Sequence, residues 1–333
     1  MTNRLLILDG HAIIYRAYHA FPDLTDSTGQ LINAVYGFSR ILLKSINDFQ
    51  PKYIAVAFDH KHGRSKRLES FDRYKAHRKP MPDDLIPQIP MIKKVVRAFN
   101  IPQFEITGFE ADDILGTIAK IMARDNEKKS QAEKVLTTIV TGDKDILQLV
   151  DDGNIHVFIP GRGKFSHDVE YDETEVREKM KVRADQIIDL KALMGDPSDN
   201  IPGVKGVGVK TAEKLIQEFD TLEKVYEKVD ELEVGQSEQT GKFVKGRSKN
   251  HSHPVLKGAI LKKMITDKKM AFLSQDLATI LLDAPVDFSL AKCVIRDYSK
   301  DKVMEIFDRY NFVSLKRMLP KDDFEISVQD ALF

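Results

Sequence analysis

Three features of this 333-residue sequence predict an α/β fold with a mostly parallel sheet. Arg4-Leu5-Leu6-Ile7-Leu8-Asp9 and Tyr53-Ile54-Ala55-Val56-Ala57-Phe58-Asp59 are apolar runs without polar alternation, and each closes on an aspartate. Such runs suit parallel strands covered on both faces. Between them, Leu31 to Phe49 carries Val35, Phe38, Ile41, Leu42 and Ile46 at helical spacing. Strand and helix therefore alternate, the pattern of a doubly wound sheet. Ligands of such sheets bind beyond the carboxyl ends of the strands, where Asp9 and Asp59 fall.

The length suits one large or two moderate domains. At 42% hydrophobic and 31% charged, the chain has enough apolar material for a soluble core. Net charge is zero, but its sign is segregated along the chain, so a nucleic-acid partner is not excluded. The single cysteine, Cys293, allows no internal disulfide, as in a reducing cytoplasm. The first ten residues do not read as a signal peptide. No segment approaches the ~20 apolar residues of a membrane span.

A helix is expected after Asp9 through Ile13, Ile14 and Ala17. Residues 60–80 break the alternation, with eight Lys/Arg against Glu69 and Asp72. A long basic connection after a carboxylate strand end can guide a phosphate backbone inward. Tyr74 offers a ring for base stacking, although a basic solvated loop is the plainer alternative. Pro82 to Phe99 has a helical pattern. In Glu110-Ala111-Asp112-Asp113 three acids open a helix. A helix start favours each by only about 0.3–1 kcal/mol, less than their mutual repulsion unless a cation sits among them. Val135 to Val140 reads as a strand leading into Asp143 and Asp145. Their spacing is that of a calcium loop, without its glycine and terminal Glu. Ile155 to Ile159 reads as an edge strand.

From about residue 183 the texture becomes helical. Gly195 to Gly203 is turn-rich and holds Asp196 and Asp199. The glycines of 203–208 are ordered GxxGxG with no strand before them, so they are not a dinucleotide fingerprint. Read as a hairpin between two helices, they let backbone approach a partner and expose amides to phosphate. Lys205 and Lys210 add charge there. Residues 230–256 look like a flexible arm. The span 242–269 carries nine Lys/Arg against one acid and suits either a second DNA contact or a soluble linker. Ala271 to Leu282 and Lys302 to Leu319 are expected helices.

The acids at strand ends and loop starts are Asp9, Asp59, Glu110, Asp112, Asp113, Asp143, Asp145, Asp196 and Asp199. Converging at one end of a sheet, they would carry too much charge to fold without metal. Oxygen-only donors select Mg²⁺ or Mn²⁺. A pair of such ions suits phosphodiester hydrolysis, with basic residues steadying the charge that develops.

Leu8-Asp9-Gly10, Phe58-Asp59, Tyr74-Lys75-Ala76-His77-Arg78, Gly108-Phe109-Glu110-Ala111-Asp112-Asp113, Thr141-Gly142-Asp143-Lys144-Asp145 and Gly195-Asp196-Pro197-Ser198-Asp199-Asn200-Ile201-Pro202-Gly203-Val204 occur in that order. Together they resemble the 5′-to-3′ exonuclease domain of bacterial DNA polymerase I, within the flap endonuclease family. The resemblance implies a PIN-like α/β/α core over 1–182 with a helical arch near 60–80. It also implies a helix-hairpin-helix region over 183–320 that grips duplex DNA through a bound K⁺. Asp9, Asp59, Glu110 and Asp112 would hold a first metal. Asp113, Asp143, Asp145 and Asp199 would surround a second, with Asp196 in its outer shell. Lys75, Arg78 and Asp112 would be catalytic. Arg67, Tyr74, Lys75, Arg78, Lys205, Gly206, Gly208, Lys210 and Thr211 would contact DNA. The family usually has a Phe-Arg pair entering the arch, where this chain has Ser65-Lys66-Arg67.

No polymerase segment follows, so the chain reads as a stand-alone enzyme; a monomer in the cytoplasm, associated with the nucleoid, is the expectation. In its 321–333 tail, Gln329, Leu332 and Phe333 resemble a Q-x-x-L-F peptide that docks on the sliding clamp, with a Leu-Phe pair suited to an apolar pocket. The expected activity is structure-specific 5′-3′ exonuclease and flap endonuclease action in primer removal and repair. The alternative is a catalytically inactive junction binder on the same fold. That alternative gives no reason to retain all nine acids. An RNA-cleaving PIN-type toxin is disfavoured by the hairpin, the basic segment and the length.

Overall fold

The structure, a computed structural model, describes residues 2–161, 166–240, 253–295, 298–322 and 325. Gln329, Leu332 and Phe333, and the middle of the expected arm at 241–252, lie outside the described residues. Two compact units form. The first comprises Met1–Lys66, Lys79–Asp172 and Ile280–Phe333, and the second Arg67–Arg78 and Glu173–Thr279.

The first unit is built on a six-stranded sheet in the order β3-β2-β1-β4-β5-β6. Its strands are β1 (Thr2–Asp9), β2 (Pro51–Ala57), β3 (Gln103–Phe104), β4 (Leu136–Val140), β5 (Ile155–Ile159) and β6 (Val169–Tyr171). All pairings are parallel except that of β5 with β6. The strand at 155–159 is therefore not an edge; antiparallel β6 covers it. Neither β6 nor the two-residue β3 is long enough to show a periodicity in sequence.

Register levels the carboxyl ends. Asp9 pairs with Ala57 and Leu8 with Val140, so the residues after β1, β2 and β4 emerge at one rim. Strand order reverses about β1, which places a topological switch point at that rim. The apolar runs are explained by cover on both faces. Leu6, Leu8, Ile54, Val56 and Phe58 join one core with α1 (Gly10–Ala20), α2 (Asn33–Phe49) and α4 (Gln88–Ala98). Leu5 and Ile7, turned the other way by the strand's period of two, are also fully buried. A further helix, α5 (Ala111–Asn126), packs on β1, β2 and β4.

Gly10 follows β1 without a spacer and opens α1. A Cβ there would stand 2.4 Å from the Phe58 ring and 2.7 Å from the Ala57 carbonyl oxygen. Only a bare Cα lets α1 leave the sheet beside β2. The expected helix at 82–99 starts at Gln88, because Pro82 to Pro87 forms turns. The one expected at 302–319 is split into α12 (Lys300–Arg309) and α13 (Val313–Lys316), with Asn311 at φ 55° between them.

In the second unit, α6 (Glu173–Met180), α7 (Ile187–Met194), α8 (Val209–Phe219), α9 (Leu222–Thr240), α10 (Gly258–Thr266) and α11 (Lys268–Ala278) enclose Leu190, Leu215, Ile216, Val225, Tyr226 and Met264. Residues 230–240, expected to begin the arm, continue α9. The basic segment carries α3 (Ser65–Ser70) and a series of turns. No helix among the described residues is long and apolar enough to cross a membrane.

Gly10→Ala should lower unfolding free energy by about 1–3 kcal/mol, the range for overpacking a tight site. Urea denaturation checks this, and an unchanged midpoint would contradict this close approach.

Candidate active site

The sheet rim of the first unit collects seven of the expected acids. Asp9 ends β1, caps α1 by accepting from Ala12 N–H at 3.0 Å, and is 3% exposed. Its other oxygen accepts from Thr141 Oγ1 at 2.8 Å. The Thr141 hydroxyl in turn accepts from Asp143 N–H at 3.0 Å, and Asp143 Oδ1 accepts from Asp145 N–H at 2.9 Å. Buried Thr141 thus struts the ends of β1 and β4 together. No sequence motif singled out its hydroxyl, although it lies inside the Thr141-Gly142-Asp143 motif.

Asp59 leaves β2 and accepts from Ala111 N–H at 2.7 Å, tying that strand to the start of α5. Its own N–H donates to His11 Nδ1 at 2.9 Å. His11 Nδ1 also lies 3.7 Å from the Asp59 carboxylate. Because that nitrogen accepts an amide proton, and burial lowers the imidazole's proton affinity, this contact is with neutral His11. His11 is a second supporting residue that sequence reasoning missed. Glu110 and Asp112 stand at the first turn of α5. Asp113 has a different task here. One oxygen accepts from Glu110 N–H at 3.0 Å, the other from Leu281 N–H at 2.9 Å, and it is fully buried. It braces the helix start.

The pKa of Asp9 is pushed up to about 7. Burial is the largest cause, followed by Asp59; Asp143 adds to it, and the bonds from Ala12 and Thr141 oppose it. The seven acids do not form a closed chelate. Among the described residues no three His, Cys, Asp or Glu side chains are set to hold a metal ion directly. The bonds above instead spread Asp9, Asp59, Asp113 and Asp143 onto backbone amides and a hydroxyl. An open, all-oxygen set of this kind fits a hard divalent ion that keeps much of its water shell. A charge placed near Asp9 and Asp59 would also relieve the cost of ionising the buried carboxyl.

Asp196 and Asp199 belong to the second unit, where each already has cations. Lys191 Nζ lies 2.6 Å from Asp196, and Ser198 donates twice to the same carboxylate. Burial pushes Asp196 up, but Lys191 and Ser198 outweigh it and hold the carboxyl below its usual range. Asp199 pairs with Arg78, receives the Tyr74 hydroxyl at 3.3 Å, and lies 3.5 Å from Lys75 Nζ. Tyr74, Lys75 and Arg67 are buried, so the face of Tyr74 that base stacking needs is not exposed here. Arg67 donates to the Thr279 carbonyl at 2.9 Å. The hairpin between α7 and α8 is open. Lys205, Gly206, Gly208 and Lys210 are exposed, Thr211 is half-buried, and Val204 and Val207 anchor the turn. Lys263, which the sequence did not single out, reaches Gly206 closely enough that a Cβ there would meet its Nζ at 2.2 Å.

Since the folded pKa of Asp9 lies above its ordinary value of 3.8, the native chain binds the extra proton across that interval. The group therefore favours folding in acid, and that contribution is lost as pH rises through about 7. The cost of holding it ionised at higher pH is on the order of 4 kcal/mol. In chelator, Asp9→Asn should be more stable than the parent at about pH 8 and no more stable at about pH 4. Urea midpoints at both pH values check this; an identical pH dependence in the two proteins would contradict it.

Residues 4–181 match the family described as 5′-3′ exonuclease, N-terminal resolvase-like domain, and residues 182–301 match the 5′-3′ exonuclease, C-terminal SAM fold. DNA polymerase I of Caldicellulosiruptor bescii is 40% identical over 318 residues, 95% of this chain and 33% of that protein. The chain thus spans about a third of the length of the curated relatives it matches. A bacteriophage T5 flap endonuclease, solved with DNA and metal ions, superimposes with a TM-score of 0.59 at 20% identity, covering 92% of this chain and 99% of that one. The catalytic core of Rad2 in complex with DNA substrate gives 0.53 at 15% identity, covering 95% and 93%. These two likenesses show the fold. With both family matches placed along one chain, this protein belongs to the 5′-3′ exonuclease family of nucleases.

Proposed function

We propose that the chain is a structure-specific nuclease that hydrolyses DNA phosphodiesters from the 5′ side, removing flaps and RNA primers in replication and repair. The observation that carries this reading is the carboxylate rim at the switch point, where burial, and then the neighbouring Asp59, raise the pKa of Asp9. Asp9, Asp59, Glu110, Asp112, Asp143 and Asp145 would hold the metal. When bound, a pair of Mg²⁺ or Mn²⁺ ions supplies the charge that polarises the scissile phosphate and makes water nucleophilic at neutral pH. Thr141 and His11 fix the orientation of Asp9 and of the Asp59 backbone. Asp113 keeps the start of α5 in place beneath Glu110 and Asp112.

The cations would act on the substrate. Arg78 is half exposed although paired with Asp199, so a phosphate can add to its guanidinium before Lys75 becomes accessible. Arg67 and Tyr74 support that segment from beneath. The hairpin residues Lys205, Gly206, Gly208, Lys210 and Thr211 suit a duplex backbone, with K⁺ as the expected bound ion. The reading extends to a monomer acting on 5′-flap, nicked or RNA-primed duplex in the nucleoid. Gln329, Leu332 and Phe333 would dock it on a sliding clamp.

Asp112→Asn should reduce cleavage of a labelled 5′-flap duplex at least about 10²-fold, the scale on which charge-stabilising groups act, while leaving binding largely intact. Full activity of that variant, or of the parent in chelator, would end the metal mechanism. Normal binding by a parent that never cleaves would favour the junction-binder alternative. Removing Gln329 to Phe333 should leave intrinsic cleavage unchanged and abolish stimulation by added clamp. Retained stimulation would contradict the docking role.

A further inference from the structure

Some cations of the first unit have carboxylate partners. Lys44 pairs with Asp48 and Asp168, Lys129 with Asp125, and Lys316 with Asp308. Four others gather along one groove. An open groove of about 450 Å³ between α4 and α12 is lined by Lys94, Arg97, Lys302 and Arg309, with Ala98, Ile306 and a single acid, Glu305. No ion pair joins any of these four cations to a described carboxylate; Arg309 has only a longer-range influence on Asp26.

The placement follows from how the helices pack. Ile92, Val95 and Val96 of α4 and Val303 and Phe307 of α12 are buried in the common core. Lys94 and Arg97 are one turn apart, and positions 302, 305, 306 and 309 repeat at helical spacing. Both charged rows therefore border the same groove. At 1.5 Å per residue the row from Lys302 to Arg309 runs about 10 Å, the length of about three 3.4 Å steps along one strand of duplex DNA. Four exposed cations brought together with one acid among them repel one another, and a polyanion relieves that repulsion.

We propose that this groove is a further DNA contact, distinct in its residues from the carboxylate rim, from Arg78 and its segment and from the 203–211 hairpin, that takes the phosphodiester backbone without regard to sequence. This rests on reading the chain as a DNA nuclease. Its contribution is to affinity and positioning, because none of its residues belongs to the hydrolytic set.

The test uses the full chain with the triple variant Lys94→Ala, Arg97→Ala, Lys302→Ala. A control triple, Lys120→Ala, Arg124→Ala, Lys128→Ala, removes the same charge from exposed positions on and just after α5. Binding to a 5′-flap duplex is measured across salt concentrations with Ca²⁺ in place of Mg²⁺, and cleavage with Mg²⁺. The groove variant should bind at least about 10-fold more weakly and lose about 2–3 from its slope of log K against log salt, at roughly 0.9 per phosphate contact. Its KM should rise with kcat unchanged. Lys94→Arg with Lys302→Arg should keep the parent's affinity and slope, which separates lost charge from misfolding. Parental affinity and slope in the groove variant, or an equal fall in the control triple, would overturn the proposal. A parent that neither binds nor cuts flapped DNA would instead sink the nuclease reading and this site with it.

Discussion

A carboxyl group buried at the switch point of a parallel sheet is the constraint around which the first unit is arranged. Asp9 cannot move outward, because it both ends β1 and caps α1. It cannot be cheaply ionised, because it is buried and, secondarily, because Asp59 and Asp143 approach from the flanking strands. The surroundings limit this cost with dipoles. The start of α1 supplies an amide to Asp9 and the start of α5 supplies one to Asp59, each at the end of a helix that favours anions. Thr141 adds a hydroxyl from the third strand. These groups hold the acids in place but do not neutralise them, and a divalent cation would complete what they begin.

The second unit treats its acids differently. Asp196 and Asp199 sit in a turn-rich loop closed by Gly203, whose φ of +61° and close approach to Gly195 exclude a side chain. Their charge is matched by Lys191, Lys75 and Arg78. Buried pairs of this kind contribute little net stability but are costly to break on one side only. Their effect is to fasten residues 67–78 to the 195–203 loop. Tyr74 joins Ile201, Leu277 and Ala278 in a small apolar cluster beneath the pair. Residues 67–78 of the basic segment are thereby an integral part of that folded unit rather than a free connection.

Much of this was legible in the sequence because it depends on strong local signals. The two aspartate-closed apolar runs gave the central strands and their carboxyl ends, and Glu110 to Asp113 gave the start of α5. What stayed hidden depends on tertiary context. β3 and β6 are too short for a period to show. Thr141 and His11 act through single hydrogen bonds to residues far away in sequence. Asp113 looked identical to Asp112 in a run of acids, yet one helical step turns it into the core, where Leu281 and Glu110 take both oxygens. Tyr74 and Lys75 sit in a strongly basic stretch that reads as an exposed DNA contact or a solvated loop, and only the partner loop around Asp199 shows that they are buried.

The central claim is that the rim formed by the ends of β1, β2 and β4 is a divalent-metal site. A crystal grown with Mn²⁺ and measured for anomalous scattering tests it most directly. The account predicts Mn²⁺ in the crevice bordered by Asp9, Asp59 and Asp143, with water filling much of its coordination shell. An ordered rim without metal at saturating Mn²⁺, its carboxylates still facing only backbone amides and Thr141, would contradict it.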